Sequence, residues 1–151
     1  MLRSKKMKPV VKLAGHREKN AARELNQSRE SHALQQKRLF DLQQHRQSYA
    51  KQIEIKARKG MNGMEFARAQ AFLAQIDAAI EQQRQHLVSS QEVVNVKTAG
   101  WKTDKMKQRV MQNVTTRIEK EESSLREKKE QREVDDIIGL RFFKQQKPLD
   151  P

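Results

Sequence analysis

Apolar residues recur along most of this chain at intervals of three and four. Between residues 73 and 101 the repeat is strict: Leu73, Ile80, Leu87, Val94 and Trp101 stand seven apart. Ile76 holds the complementary position, followed by the polar Gln83, Ser90 and Lys97. This is the stripe of an amphipathic helix, and its seven-residue period implies a left-handed supercoil. Past Trp101 the stripe passes to Met111, Ile118 and Leu125, again seven apart, which reads as a shifted seam. An earlier stretch repeats the pattern in weaker form. Leu25, His32, Leu39, Arg46 and Ile53 occupy one heptad position; Ala21, Ser28, Gln35, Leu42 and Tyr49 occupy the other. Its apolar residues gather towards Ile53 and its middle is polar. His32 within that seam reads as a residue that sets register rather than as a metal ligand.

The break between the two stripes is marked by glycine. Gly60 suits the left-handed position that ends a helix, with Lys56, Arg58 and Lys59 near the negative end of its dipole. Asn62 suits an N-cap, and Glu65 fits the return half of a capping box. A helix end followed at once by a helix start is a hairpin signature. The only prolines are Pro9, Pro148 and Pro151, so none interrupts Val10 to Lys147. The expected fold is all-α: a long two-helix antiparallel coiled-coil hairpin with an overhanging C-terminal helix. A basic flexible N-terminus would take residues 1–9, the coiled coil 10–138 and a flexible tail 139–151. Helix one would cover about 10–59, the turn about 60–62 and helix two about 63–138. At about 1.5 Å per residue the helices would measure roughly 75 and 110 Å. Folding back at the turn brings Val10 near Val110, so residues beyond about 112 lack a partner in the chain. They still carry Ile118, Leu125, Val134, Ile137, Ile138 and Leu140, and such a stripe calls for a partner from elsewhere.

Composition agrees. Hydrophobic residues make up 35% and charged residues 34%, which supplies a stripe but not a thick core. The mixed charges of Ile118–Val134 suit a solvated helix held by i,i+4 pairs. There is no cysteine, which removes disulfides and thiolate chemistry. No two of the four histidines stand at i,i+3 or i,i+4, and no HExxH, glycine-rich phosphate loop or GxSxG occurs. No catalytic site, cofactor or metal is therefore expected. No run of about 18 apolar residues exists to span a membrane. The N-terminus has no apolar core of a secretory signal.

The net charge of +13 admits nucleic acid, an anionic membrane or acidic proteins as partners. Aromatic residues are only 5% and do not interleave with the basic ones, so no stacking platform for bases is built. A basic helical nucleic-acid binder stays as the alternative from another class. The cluster Arg3, Lys5, Lys6, Lys8 and Lys12 reads as a solvated tail. Near the bend, Leu42, Tyr49, Phe72, Ile76 and Ala79 are candidate tip residues. Phe72 and Leu73 are adjacent, so both cannot face a narrow seam, and the exposed one would be a docking anchor. Trp101 continues the Leu73 ladder into the core, with Gly100 leaving room beside it.

Several stretches resemble a known family. Ala69–Gln85, reading AQAFLAQIDAAIEQQRQ, is similar to the start of helix two in the flagellar type III export proteins of the FliJ family. Trp101 with the basic residues after it, and Glu130–Ile137, reading EQREVDDI, match further parts of that pattern. The resemblance covers roughly residues 10 to 138. Ala69 stands where the family often has tyrosine, and His45 where an aromatic can occur. The resemblance implies a non-catalytic stalk of the flagellar export apparatus, cytoplasmic and peripherally associated with the inner membrane at the flagellar base. It implies three partners: the export ATPase hexamer, the export gate membrane protein and export chaperones. Carried over, the gate-binding tip would be Arg38, Leu42, His45, Tyr49, Phe72, Ile76, Ala79 and Gln83. The ATPase-binding end would hold Gln131, Arg132, Asp135 and Asp136 by the resemblance, together with Ile118 and Leu125 of the unpartnered stripe. A stalk of a virulence-type secretion system is the neighbouring alternative.

Overall fold

The structure, a computed structural model, describes residues 2–146. It is all-α: two long helices pack against each other, α1 (Arg3–Lys59) and α2 (Gly63–Gln145). Among the described residues no helix is long and apolar enough to cross a membrane. The chain divides into two compact units. One comprises residues 18–104 and contains the turn; the other comprises the N-terminal part of α1 and the part of α2 from Lys105 on.

In the unit that holds the turn, cross-helix bonds fix an antiparallel pairing. Arg46 pairs with Asp77, Gln83 with Gln35, His32 with Ser90, Lys97 with Glu24 and Trp101 with Glu18. The sequence separation of these pairs grows from 31 to 83 residues away from the turn, as two antiparallel helices of a hairpin require. The turn itself follows from its residues. Gly60 takes φ 108°, a value open to glycine and strained for other residues. Its amide donates to the Ala57 carbonyl. The Asn62 side chain accepts from the Glu65 amide at 2.8 Å, so α2 starts on a side-chain cap. The best-packed part lies beside the turn, where Ile53, Ala69 and Leu73 are buried against Tyr49 and Ala50. Ile76 and Ile80 are also buried.

Farther from the turn the seam becomes polar, and among the described residues no fully buried side-chain polar atom is left without a partner. Gln83 is buried and donates to the backbone and side-chain oxygens of Gln35 at 3.1 and 2.7 Å. His32 Nδ1 lies 2.6 Å from Ser90 Oγ. Buried Ser28 donates to the Leu25 carbonyl within its own helix. Trp101 is half-buried and its indole N–H donates to Glu18 at 3.0 Å. The room expected at Gly100 is not used, since nothing lies within 4 Å of where its side chain would begin.

In the other unit both helix bounds depart from expectation. Helix α1 starts at Arg3, not at Val10, and Pro9 lies inside it. The heptad explains why: Ser4, Met7, Val11 and Ala14 extend the positions of Leu25 and Ala21 and are partly buried. That packing, together with the bonds at Ser4, offsets the hydrogen bond that proline cannot donate. The first turn of α1 has no acidic residue to meet its dipole. Glu122 of α2 supplies one, accepting from the Ser4 amide at 3.0 Å and the Ser4 hydroxyl at 2.5 Å. Those bonds, the hydroxyl's first, hold the Glu122 carboxyl below its usual range.

The expected shift of the α2 seam is not a shift. Met111 and buried Ile118 continue the heptad position of Ile76, so the apolar role passes from one seam position to the other without a change of phase. Because α1 begins earlier, partnering in this unit reaches Glu122, not residue 112. Helix α2 also continues through Gly139 to Gln145. A single internal glycine costs only about 1 kcal/mol, less than is needed to stop a helix flanked by good formers. The rest of the expected tail, residues 147–151, lies outside the described residues.

Candidate functional site

Exposed apolar groups occur along both helices, and two of the surfaces they form lie at the expected binding ends. The first is the tip of the unit that contains the turn. Tyr49 and Phe72 meet across the helices with ring centroids 4.6 Å apart at a tilt of 58°. Leu73 takes the core position and Phe72 the flank, where it stays 41% exposed. The two rings line one side of an open cleft of about 400 Å³, with Lys56, Met61 and Arg68 on its other walls. On the opposite flank Phe66 and Arg58 border a second cleft of about 520 Å³. One turn beyond the aromatic pair, Arg46 Nε donates to Asp77 at 2.6 Å. That bond holds the Asp77 carboxyl below its usual range and the Arg46 guanidinium above its own.

The expected tip residues divide by burial. Arg38, His45 and Phe72 are exposed, and Leu42, Tyr49 and Ala79 are half-buried. Ile76 and Gln83 are buried in the seam, so they shape the tip from within rather than form its surface. Their positions in the heptad made this legible, since Ile76 and Gln83 are one repeat apart on the complementary stripe. Ala69, where the family often has tyrosine, is also buried and packs on Ile53. Met61, Met64 and Phe66 escaped the sequence reading. They belong to the turn and the first turn of α2, where no heptad marks them.

The second surface is the part of α2 beyond Glu122. From Ser124 to Gln146 every residue is exposed. Leu125 keeps the seam position of Ile118 but is 67% exposed because α1 has ended. Farther on, that seam phase holds Lys129, Arg132, Asp136 and Gly139. At about 100° per residue, Val134, Ile138 and Phe142 share the other side of the helix, flanked by Ile137, while Leu140 lies to the flank and Phe143 returns to the seam phase. The apolar face here is therefore not a continuation of the seam. It points away from the side on which α1 packs against the preceding turns. Of the residues expected at this end, Ile118 is buried against α1, whereas Leu125, Gln131, Arg132, Asp135 and Asp136 are exposed. Gln131 donates to Asp135 one turn on, at 3.2 Å.

Among the described residues the clefts at the tip and the one that Leu125 borders are open rather than enclosed, and such surfaces suit contact with large partners. The family model described as flagellar FliJ protein matches residues 4–147. No curated protein and no solved structure matches the chain. With all but a few terminal residues inside that match, this chain belongs to the flagellar FliJ protein family.

Proposed function

We propose that this chain is a stalk that binds the export ATPase hexamer through the exposed C-terminal part of α2 and the export gate through the hairpin tip. Its family makes it a component of the flagellar export apparatus. The finer assignment rests on one observation: α2 continues past Glu122 as a wholly exposed helix that gathers Val134, Ile137, Ile138 and Phe142 on the side away from the seam. A face of that kind, on a helix with no partner of its own, gains most from burial against another protein. Val134, Ile138 and Phe142 would form the contact, with Arg132, Asp135 and Asp136 at its rim. At the tip, Tyr49 and Phe72 form a rigid aromatic pair suited to anchoring the gate. Export chaperones are a further class of partner. The place of action is the cytoplasmic side of the inner membrane at the flagellar base. The role is positional and asks no residue to do chemistry.

Ending the chain after Ser123 tests the ATPase contact. Pull-down of the ATPase should be lost, while circular dichroism and Trp101 fluorescence still report a folded hairpin. The double variant Val134→Asp/Ile138→Asp should have the same effect without shortening the chain. Pull-down that survives both changes refutes the assignment. Tyr49→Ala/Phe72→Ala should weaken gate binding and leave ATPase binding unchanged.

A further inference from the structure

The apex of the hairpin carries apolar residues that neither the seam nor the aromatic pair uses. Met64 is 69% exposed, Ile55 53% and Phe66 44%. They are not gathered on one side. Ile55 belongs to α1, and Met64 and Phe66 are two residues apart on α2, about 200° around the helix. A docking helix would cover one of these faces and leave the other wet. A medium that surrounds the apex would cover all three. All three lie within about 8 Å of the turn along the helix axes, the depth of the headgroup and upper acyl region reached by interfacial helices.

The charges around them are mostly positive. Lys56, Arg58, Lys59 and Arg68 lie at the same level, against Glu54 and Glu65. Arg58 is held by Glu54 at 2.7 Å, and Arg68 Nη2 lies 3.8 Å from the Met64 sulfur. Lysine and arginine stems can lie along apolar surface while their charged ends reach lipid phosphates. We infer that the hairpin apex is a shallow membrane contact that prefers anionic lipid, with Met64, Phe66 and Ile55 entering the headgroup region and Lys56, Arg58, Lys59 and Arg68 meeting phosphate. Lys56 and Arg68 also border the cleft that Tyr49 and Phe72 line, whereas Met64 and Ile55 do not, so a change at the apolar apex separates this contact from the gate contact.

Co-sedimentation of the full chain with vesicles tests it. One set is pure phosphatidylcholine; the other holds about 30 mol % phosphatidylglycerol, both near 0.15 M salt. The expected result is binding to the anionic set at least about fivefold stronger than to the neutral set, since each basic residue near an anionic surface is worth about a fivefold factor before the two acids subtract. Met64→Asp/Phe66→Asp should remove most of that preference. Both residues are exposed, so helicity should be unchanged by circular dichroism. The control Lys5→Glu/Lys6→Glu/Lys8→Glu lowers the total charge of the chain but should leave the preference in place. In a Trp101→Phe background, Met64→Trp should show a blue-shifted emission with anionic vesicles. Three outcomes overturn the inference: no preference for the anionic set, a preference that survives the apex variant, or one abolished by the N-terminal variant.

Discussion

The polar middle of the seam should lower stability, and the pair Gln35 and Gln83 lets that be measured. Replacing both with leucine removes two neutral hydrogen bonds, Gln83 Nε2 to the Gln35 carbonyl at 3.1 Å and to its side-chain oxygen at 2.7 Å. Each contributes about 0.5–1.5 kcal/mol net, so the loss is about 1–3 kcal/mol. Full burial of a leucine is worth about 1.5–3 kcal/mol. Gln83 is 9% exposed and Gln35 about half-buried, so the two leucines together contribute about 2–4 kcal/mol. Leucine also loses less rotamer freedom than glutamine on burial. The balance is a gain of about 1–2 kcal/mol, or about 2–8 °C in Tm for a chain of this size. Urea unfolding followed by circular dichroism and by Trp101 fluorescence would measure it. Gln83→Leu alone should gain less, because Gln35 then loses its partner although it still reaches water. A lower midpoint in the double variant would refute the reasoning and show that the polar layer stabilises the hairpin. A raised midpoint with broadened or doubled amide signals near the substituted layer would show that the layer fixes register instead.

Other predictions follow from single sites. Ile53→Ala should destabilise by about 2–4 kcal/mol, because Ile53 is buried at the best-packed point of the seam; urea unfolding would show it. Gly60→Ala should cost about 1–2 kcal/mol through its positive φ, and Asn62→Ala about 1 kcal/mol through the lost cap. The two should add nearly fully only if the helix end and the helix start act independently. Asp77 and Glu122 both have folded-state pKa values below the ordinary range. Each therefore adds stability that is fully present above about pH 4 and lost as pH falls through the lowered value. Asp77→Asn and Glu122→Gln should each be less stable than the parent near neutral pH, and the difference should vanish in acid. A difference that persists in strong acid would point to lost packing instead.

Much of the fold was legible because a coiled coil writes its seam in period seven. The ladder from Leu73 to Trp101, the glycine at the bend and the Asn62 cap all act locally, so sequence alone exposes them. What stayed hidden depends on contacts between distant residues. Pro9 reads as a helix barrier when taken alone, and only the packing of Ser4, Met7 and Val11 on α2 shows why the helix continues through it. The bond from Ser4 to Glu122 spans 118 residues, and no local pattern announces it. The candidate sites were legible in the same uneven way. The adjacency of Phe72 and Leu73 requires one of them to leave the seam, and the structure gives the flank to Phe72. Ile76, Gln83 and Ile118 are stripe residues, so the same periodicity that drew attention to them also buries them.

The place where partnering ends bears most on function. The seam keeps apolar residues and cross-helix bonds as far as Ile118 and Glu122, then holds lysine, arginine, aspartate and glycine from Lys129 to Gly139. A helix that merely outran its partner would keep its apolar residues in phase, and among those past Glu122 only Leu125 and Phe143 do so. Instead the apolar groups of Val134, Ile138 and Phe142 move to the other side of α2. Had α1 been longer, it could not have covered them without crossing over the helix. The C-terminal face thus differs from the seam in direction as well as in position, and Ile138→Asp should spare the hairpin's own stability. If thermal unfolding showed Ile138→Asp to be as damaging as Ile118→Asp, the face would belong to the seam after all, and the separation of scaffold from binding surface would fail.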